Sequence, residues 1–360
     1  MDDDILDRGL SRRDAIKVGL TSSLALAVAA CGGSSTAAST VNTTPQLTQP
    51  SPALVKAAQA EGTLTMYSSA ALQVSAALSG AFTGLYGIPV NSTRIVSSPL
   101  EVRFTAEAAS GKPIADVIQN SDVSWINSVG IPKGWFDQPN PTEIPSLSLW
   151  TNASKYVISN TFYLSAISVQ TIAYNTNLVK GKDVPTAWAA LLDPKWKGAI
   201  DFTDPRSNTT LLAWVYLMQQ TYGNAFVTKF GQQNLRYDAG GGSGPTLLAA
   251  GDVAFWITGS LTTLSPIIAA GAPIALASFN EPTIGSEQYT ALVHNAPHPN
   301  AAKLFMNFAL SMAGGTAMCK NVCGSVLHAP GSILLPTGYT SPQITQAVAN
   351  QTSLLGLLGF

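Results

Sequence analysis

From Glu61 onward, short apolar runs alternate with amphipathic stretches, and few folds accept that alternation. Residues 64–67 read as a first strand and residues 70–85 as a helix. In that helix Leu78, Phe82 and Leu85 fall at i, i+4 and i+7, and Gly87 supplies the stop. A second strand over 89–96 leads into a helix over 100–110, and a third, over 115–119, ends at Asn120-Ser121-Asp122. Strand, helix, strand, helix, strand implies a parallel sheet with covering helices.

The middle of the chain repeats the theme. Residues 162–174 form a long alternating run rich in β-formers, long enough to cross between two lobes. Residues 186–192 read as helix, 198–203 as strand, 206–222 as a helix carrying Leu212, Val215, Tyr216 and Gln219, and 253–258 as a buried strand. Extended segments at 273–279 and 287–294 carry the chain back, and two crossings make a hinge. A helix over 298–312 closes the first lobe, with Pro299 at its first position, Gly314-Gly315 at its end, and Phe305, Phe308 and Met312 as a core stripe. The expected fold is α/β with two lobes: 56–160 and 280–335 form lobe 1, 161–279 forms lobe 2, and 336–360 is a C-terminal tail with an apolar helix over 344–358.

The beginning of the chain reads as an address. Ser11-Arg12-Arg13 with Ile16-Lys17 resembles a twin-arginine export signal, and the apolar run over 18–30 is too short to span a bilayer. Val28-Ala29-Ala30-Cys31-Gly32 resembles a bacterial lipobox, which makes residues 1–30 a signal peptide and Cys31 a lipid-bearing membrane tether. The acidic start, Asp2-Asp3-Asp4, departs from the usual positive one; an ordinary secretion signal with Cys31 incidental is the alternative. Residues 31–55, poor in large apolar side chains, read as a lipidated flexible stalk.

Residues 1–30 hold 4 of the 19 basic and 5 of the 20 acidic residues, so the remainder is neutral. That excludes nucleic acid as a partner, since phosphate contacts need a basic surplus. Beyond Cys31 only Cys319 and Cys323 remain, and outside the cytoplasm such a pair most simply forms one local disulfide. A metal pair with His328 is the alternative, although Cys-x3-Cys-x4-His does not match the usual zinc spacings.

Small hydroxyl or glycine residues recur at strand ends just before helix starts: Ser68-Ser69, Ser97-Ser98-Pro99, Asn120-Ser121-Asp122, Thr203-Asp204-Pro205-Arg206-Ser207 and Gly240-Gly241-Gly242-Ser243-Gly244-Pro245. In open α/β sheets that edge takes ligands, and helix N-termini there favour anions. Each corner also has a purely structural reading. Ser98 with Glu101 makes a capping box, and Asp204 before Pro205 can cap in the same way. Catalytic motifs fit worse. Gly241-Gly242-Ser243-Gly244-Pro245 ends on proline where a nucleophile elbow needs glycine, and the loop lacks the lysine of a phosphate-binding loop. His294 and His298 are separated by Pro297, which forbids one helix carrying both to a metal, and no carboxylate pair suits general acid/base work.

Several stretches together resemble the extracellular solute-binding proteins of bacterial ABC importers, in the branch of ferric-iron, thiamine, polyamine and phosphonate binders. They are residues 61–69, 82–90, 111–117 and 171–175, Pro194-Lys195-Trp196-Lys197-Gly198, residues 249–254 and, most specifically, Pro297-His298-Pro299-Asn300-Ala301-Ala302-Lys303-Leu304-Phe305. The resemblance implies two α/β lobes of the type II periplasmic-binding fold, joined by two extended crossings. It implies no enzyme activity and no cofactor. A small-molecule or ion solute would be captured between the lobes and passed to a membrane permease and its ATPase by a monomer held outside the cytoplasmic membrane. Carried over by position, Ser68, Ser69, Ser98 and Asp122 would face the cleft from lobe 1, and Arg206, Ser207, Gly242, Ser243 and Ser260 from lobe 2. Ferric binders of this branch carry adjacent tyrosines where this chain has Ser260-Leu261-Thr262, so the lining favours an oxyanion, a phosphonate or a small zwitterion over iron. Tyr67, Trp125, Tyr237 and Trp256 are candidates for an aromatic wall. The competing readings are a secreted α/β hydrolase or transferase and a solute sensor for a membrane kinase.

Overall fold

The first helix, α1 (Pro52–Glu61), starts where Ser51 Oγ accepts the Leu54 N–H at 3.1 Å and Pro52 takes the first position. It stops at Gly62, whose φ of 80° is left-handed. The chain, described by a computed structural model over residues 48–238 and 243–360, then runs β1 (Leu64–Ser68), α2 (Leu72–Tyr86), β2 (Val90–Arg94), α3 (Ser97–Ala109) and β3 (Val117–Asn120). β2, β1 and β3 pair in parallel, as the strand–helix alternation requires.

Next come α4 (Val123–Trp125), β4 (Phe136–Asp137), β5 (Val157–Ile158) and β6 (Phe162–Val169). After Gln170 the chain continues as β7 (Thr171–Asn175), β8 (Ile200–Thr203), α5 (Thr209–Tyr222), α6 (Asn224–Gly231) and β9 (Arg236–Asp238). It proceeds through α7 (Gly244–Ala250), β10 (Phe255–Gly259), α8 (Leu261–Ala269), β11 (Ile274–Leu276) and β12 (Gly285–Val293). It finishes with α9 (Pro299–Ala309), α10 (Met312–Cys319), α11 (Ile344–Ala349) and α12 (Gln351–Leu358).

Two mixed sheets result. The first has the order β2-β1-β3-β12-β6-β5, with β4 also pairing β12; the second has β11-β7-β10-β8-β9. β12 runs antiparallel to both β3 and β6, and β7 antiparallel to β10 and β11, so the returning strands make each sheet mixed rather than purely parallel. Each sheet buries apolar residues on both faces. The first packs Phe82, Phe305 and Phe308 on one side and Phe104, Phe136 and Phe162 on the other. The second packs Phe202, Trp214, Phe230 and Phe255 against α5 and α6, and Leu248, Trp256 and Leu264 beneath α7 and α8. Side chains alternate across a strand, so one strand feeds both layers: Met66 of β1 enters one core and Tyr67 the other.

Four local expectations change. The helix drawn over 298–312 is two helices, because Ser311 Oγ accepts the Gly314 N–H at 3.1 Å and starts α10 anew. Gly314 and Gly315 therefore lie inside a helix rather than ending one. A Cβ on Gly314 would collide with the Phe308 carbonyl, and one on Gly315 would come within 2.8 Å of the Ala329 methyl, so close packing is what demands glycine there. The apolar tail helix breaks at Asn350 into α11 and α12, which pack on α5 and α6. β6, residues 162–169, pairs within the first sheet although the sequence reading begins lobe 2 at 161; the sheets change over at Gln170. Cys319 and Cys323 are joined as a disulfide with Cα atoms 4.4 Å apart, which removes both thiolates from any metal site with His328. The signal, Cys31 and most of the stalk lie outside the described residues.

Candidate functional site

A cleft of about 650 Å³ opens where strand ends of both sheets meet. Ser69 follows β1, Ser97 and Ser98 follow β2, and Ser121 follows β3; from the second sheet come residues 206–211 after β8 and Ser260 after β10. Among the described residues, α2, α3, α5 and α8 begin at this cavity. The first N–H groups of any helix lack intrahelical acceptors and carry its positive end. Asn208 caps α5, its Oδ1 accepting from Thr210 N at 3.1 Å and Leu211 N at 3.2 Å; α2, α3 and α8 have no side-chain cap. Arg94 and Arg206 are the charged residues of the described lining, which is otherwise hydroxyls, amides and a few apolar groups, with no carboxylate and no histidine.

Of the residues singled out from sequence, Ser69, Ser98, Arg206, Ser207 and Ser260 line this cavity. Ser69 Oγ donates to Gln288 Oε1 at 3.0 Å, Ser207 Oγ to the Asp204 carbonyl at 3.1 Å, and Ser260 Oγ shares a 2.8 Å bond with Thr262 Oγ1. Ser98 forms no capping box: α3 starts at Ser97, and Glu101 Oε1 instead accepts from Asn120 Nδ2 at 2.9 Å. Asp204 caps no helix either, since α5 begins only at Thr209; its carboxylate takes the Arg206 N–H at 2.8 Å and that residue's guanidinium.

Other expected residues stand elsewhere. Ser68 is fully buried behind the wall, donating to Gln119 Oε1 at 2.7 Å and accepting the Ala70 N–H at 3.2 Å. Asp122 does not line the cavity. It caps α4, accepting from Ser124 N and Trp125 N at 2.9 and 3.1 Å, and receives Thr209 Oγ1 from the opposite half at 3.3 Å. Tyr237 is turned away, its ring 4.8 Å from that of Phe360. Ser243 precedes α7 without capping it and is not among the described lining; Gly242 lies outside the described residues. Of the proposed aromatic wall only Trp256 reaches the cavity, while Tyr67 is held by Glu107 at 2.9 Å and Trp125 packs on Phe104.

Sequence reasoning missed the floor. Ser168 and Gln170, on and just after β6, and Ser286 and Gln288 on β12 all line the cavity. Each pair is spaced by two, so period-two alternation puts both members on one face. That polar alternation within otherwise apolar crossings was the available signal.

Two of the acids buried beneath the walls are raised well above the usual carboxylate range. Burial, then the charge of Asp122, raises Glu101 to about 7, against the opposing Asn120 bond. Burial and neighbouring Asp238 raise Asp201 to about 7, and one Asp201 carboxylate oxygen has no hydrogen-bond partner among the described residues. At the rim, Asp204 stays below its ordinary range: burial pushes it up, but the bonds from Arg206 outweigh burial.

Residues 63–316 match the family model of bacterial extracellular solute-binding proteins. No curated protein matches the chain. Among solved structures, iron-bound HitA from Pseudomonas aeruginosa is similar at 20% identity and TM-score 0.66, covering 83% of this chain and 99% of its own. The substrate-binding protein of an ABC transporter from Agrobacterium tumefaciens is similar at 15% identity and TM-score 0.67, covering 82% and 94%. AfuA from Actinobacillus pleuropneumoniae, with fructose-6-phosphate bound, is similar at 20% identity and TM-score 0.61, covering 82% and 97%.

Proposed function

The chain belongs to the bacterial extracellular solute-binding proteins, and from that premise we propose that it captures a small organic anion in the cleft and delivers it to an ABC permease and its ATPase. The observation that carries the reading is the lining itself: uncapped helix starts and two arginines, with no carboxylate among the described lining residues. Such a surface compensates negative charge and desolvates poorly around a cation. Iron, the ligand of HitA, favours anionic oxygen ligands, and no tyrosine or acid is among the described lining residues. A phosphate-bearing solute of the size bound to AfuA suits both the charge and the volume, which lies in the range typical of small-molecule sites. The protein acts as a carrier, as its family does, and not as a catalyst. Closure about the two crossings buries the solute, and the permease reads the closed shape. A tether at Cys31, on the lipobox-like sequence, would keep the carrier at the membrane.

The test is a thermal-shift panel of phosphate, sulfate, methylphosphonate, fructose 6-phosphate, thiamine, spermidine and ferric ion, followed by small-angle scattering with whatever stabilises. An anion should raise the melting temperature and shrink the radius of gyration. Stabilisation by ferric ion alone, or an unchanged radius at saturation, would refute the reading. Replacing Cys31 by Ala should release the protein from membrane fractions.

A further inference from the structure

The cleft arginine is fixed from a part of the chain far from it in sequence. Arg206 presents one guanidinium edge to Asp204, with Nε 3.0 and 3.1 Å from the two carboxylate oxygens and a second nitrogen, Nη2, hydrogen-bonded to Oδ2 at 2.6 Å. Its flat face is covered by Phe360, with Cζ 4.2 Å from the ring centroid. Phe360 leans on Tyr237 at 4.8 Å, and Tyr237 on Phe202 of the core at 6.3 Å. An aromatic ladder thus runs from the core of the second sheet to the rim of the cavity.

The ladder's outer rung is itself fastened. Gly231, closing α6, allows such close approach that a Cβ there would meet the Leu358 backbone at 2.5–2.8 Å. Gly359 then turns left-handed at φ 93°, and the Phe360 N–H returns to the Leu355 carbonyl at 3.1 Å. Carboxylate on one edge and ring on one face leave the Nη1 edge of Arg206, at a cavity residue whose side chain is half exposed. An unrestrained arginine would lose several rotors on meeting an anion; this one has lost them already.

Resting on the carrier reading above, the geometry points to Phe360 as a positioning residue that, with Asp204, holds Arg206 so that its free edge grips the phosphate or carboxylate group of the solute. Arg206 supplies the donors, and Phe360 acts only through it.

The experiment compares the full chain with Phe360→Ala and Phe360→Tyr, following the side-chain N–H resonances of Arg206 during a titration with inorganic phosphate; Arg206→Lys identifies the resonances. In the parent, a ring-current displacement and a response to phosphate are expected. Phe360→Ala should abolish the displacement and weaken the phosphate midpoint about two- to fivefold, the range an exposed cation–π contact represents. Phe360→Tyr should restore both. A midpoint equal in the alanine variant and the parent overturns the positioning role, even if the melting temperature falls. A parent resonance that phosphate leaves unmoved overturns the anion edge. Failure of the carrier reading is separate: scattering would then detect no closure with any solute while the Arg206 resonance still answered phosphate.

Discussion

Each half of the molecule buries carboxylic acids, and two of them, Glu101 in one half and Asp201 in the other, are accommodated differently. Glu101, on α3 beside the first sheet, receives an amide hydrogen from Asn120, while Asp201, on β8 of the second, faces another acid, Asp238, with one oxygen that has no partner among the described residues. Both are raised to about 7 by burial. Each ionises beside another acid, Asp122 for Glu101 and Asp238 for Asp201, but Glu101 alone ionises into an amide donor already in place. In the first half the buried acid therefore has an amide donor that offsets part of the cost of its charge, whereas in the second the neighbouring group is another acid.

The largest effect that would break this comparison is on stability against pH. Asp201 holds a proton in the folded state up to about pH 7 that the unfolded chain gives up near 4. Stability from this group is present at low pH and lost as pH rises through 7. Between pH 5 and 8 the loss amounts to about 2–3 kcal/mol. Asp201→Asn should remove that fall and be the more stable protein at pH 8 in urea melts; a variant weaker than the parent at pH 8 would contradict the buried proton. Glu101→Gln should act in the same direction but less, since the Asn120 donor already offsets part of the cost of the Glu101 charge, and equal gains at the two sites would erase the distinction between the halves. Next in size, Thr209→Val removes the bond to Asp122 across the halves and should weaken their closure by about 1 kcal/mol. A larger radius in scattering of the free protein would register it. Smallest, Ser311→Ala should cost about 1 kcal/mol or less in a thermal melt through loss of the α10 cap, leaving phosphate binding unchanged.

Much of the scaffold is readable from residue order because its causes are local. Alternation gives β1–α2–β2–α3–β3, and the two long extended runs give the crossings. What escapes is decided by distant neighbours. Glu101 is three residues from Ser98 and has every local reason to complete a capping box, yet Asn120 offers it a partner inside the wall. Gly314-Gly315 has the composition of a helix end but answers to the Phe308 carbonyl and the Ala329 methyl. Ser68 and Ser69 are equivalent in sequence, and strand alternation sends one behind the wall and the other into the cavity. Arg206 could be chosen as a cavity residue from its place after a strand; that Phe360 would lie on its face could not, because more than a hundred residues of folding bring them together.

Val169 ends β6 and Thr171 begins β7, which leaves Gln170 alone to join the two sheets on this crossing. A joint so short has no slack. One residue added upstream of it would invert the alternation between Gln170 and β6, turning an amide or a hydroxyl of the cavity floor toward the apolar layer behind. The number of residues at this position is therefore as much a determinant of binding as their identity, and an insertion that a surface loop would absorb becomes here a rewiring of the floor.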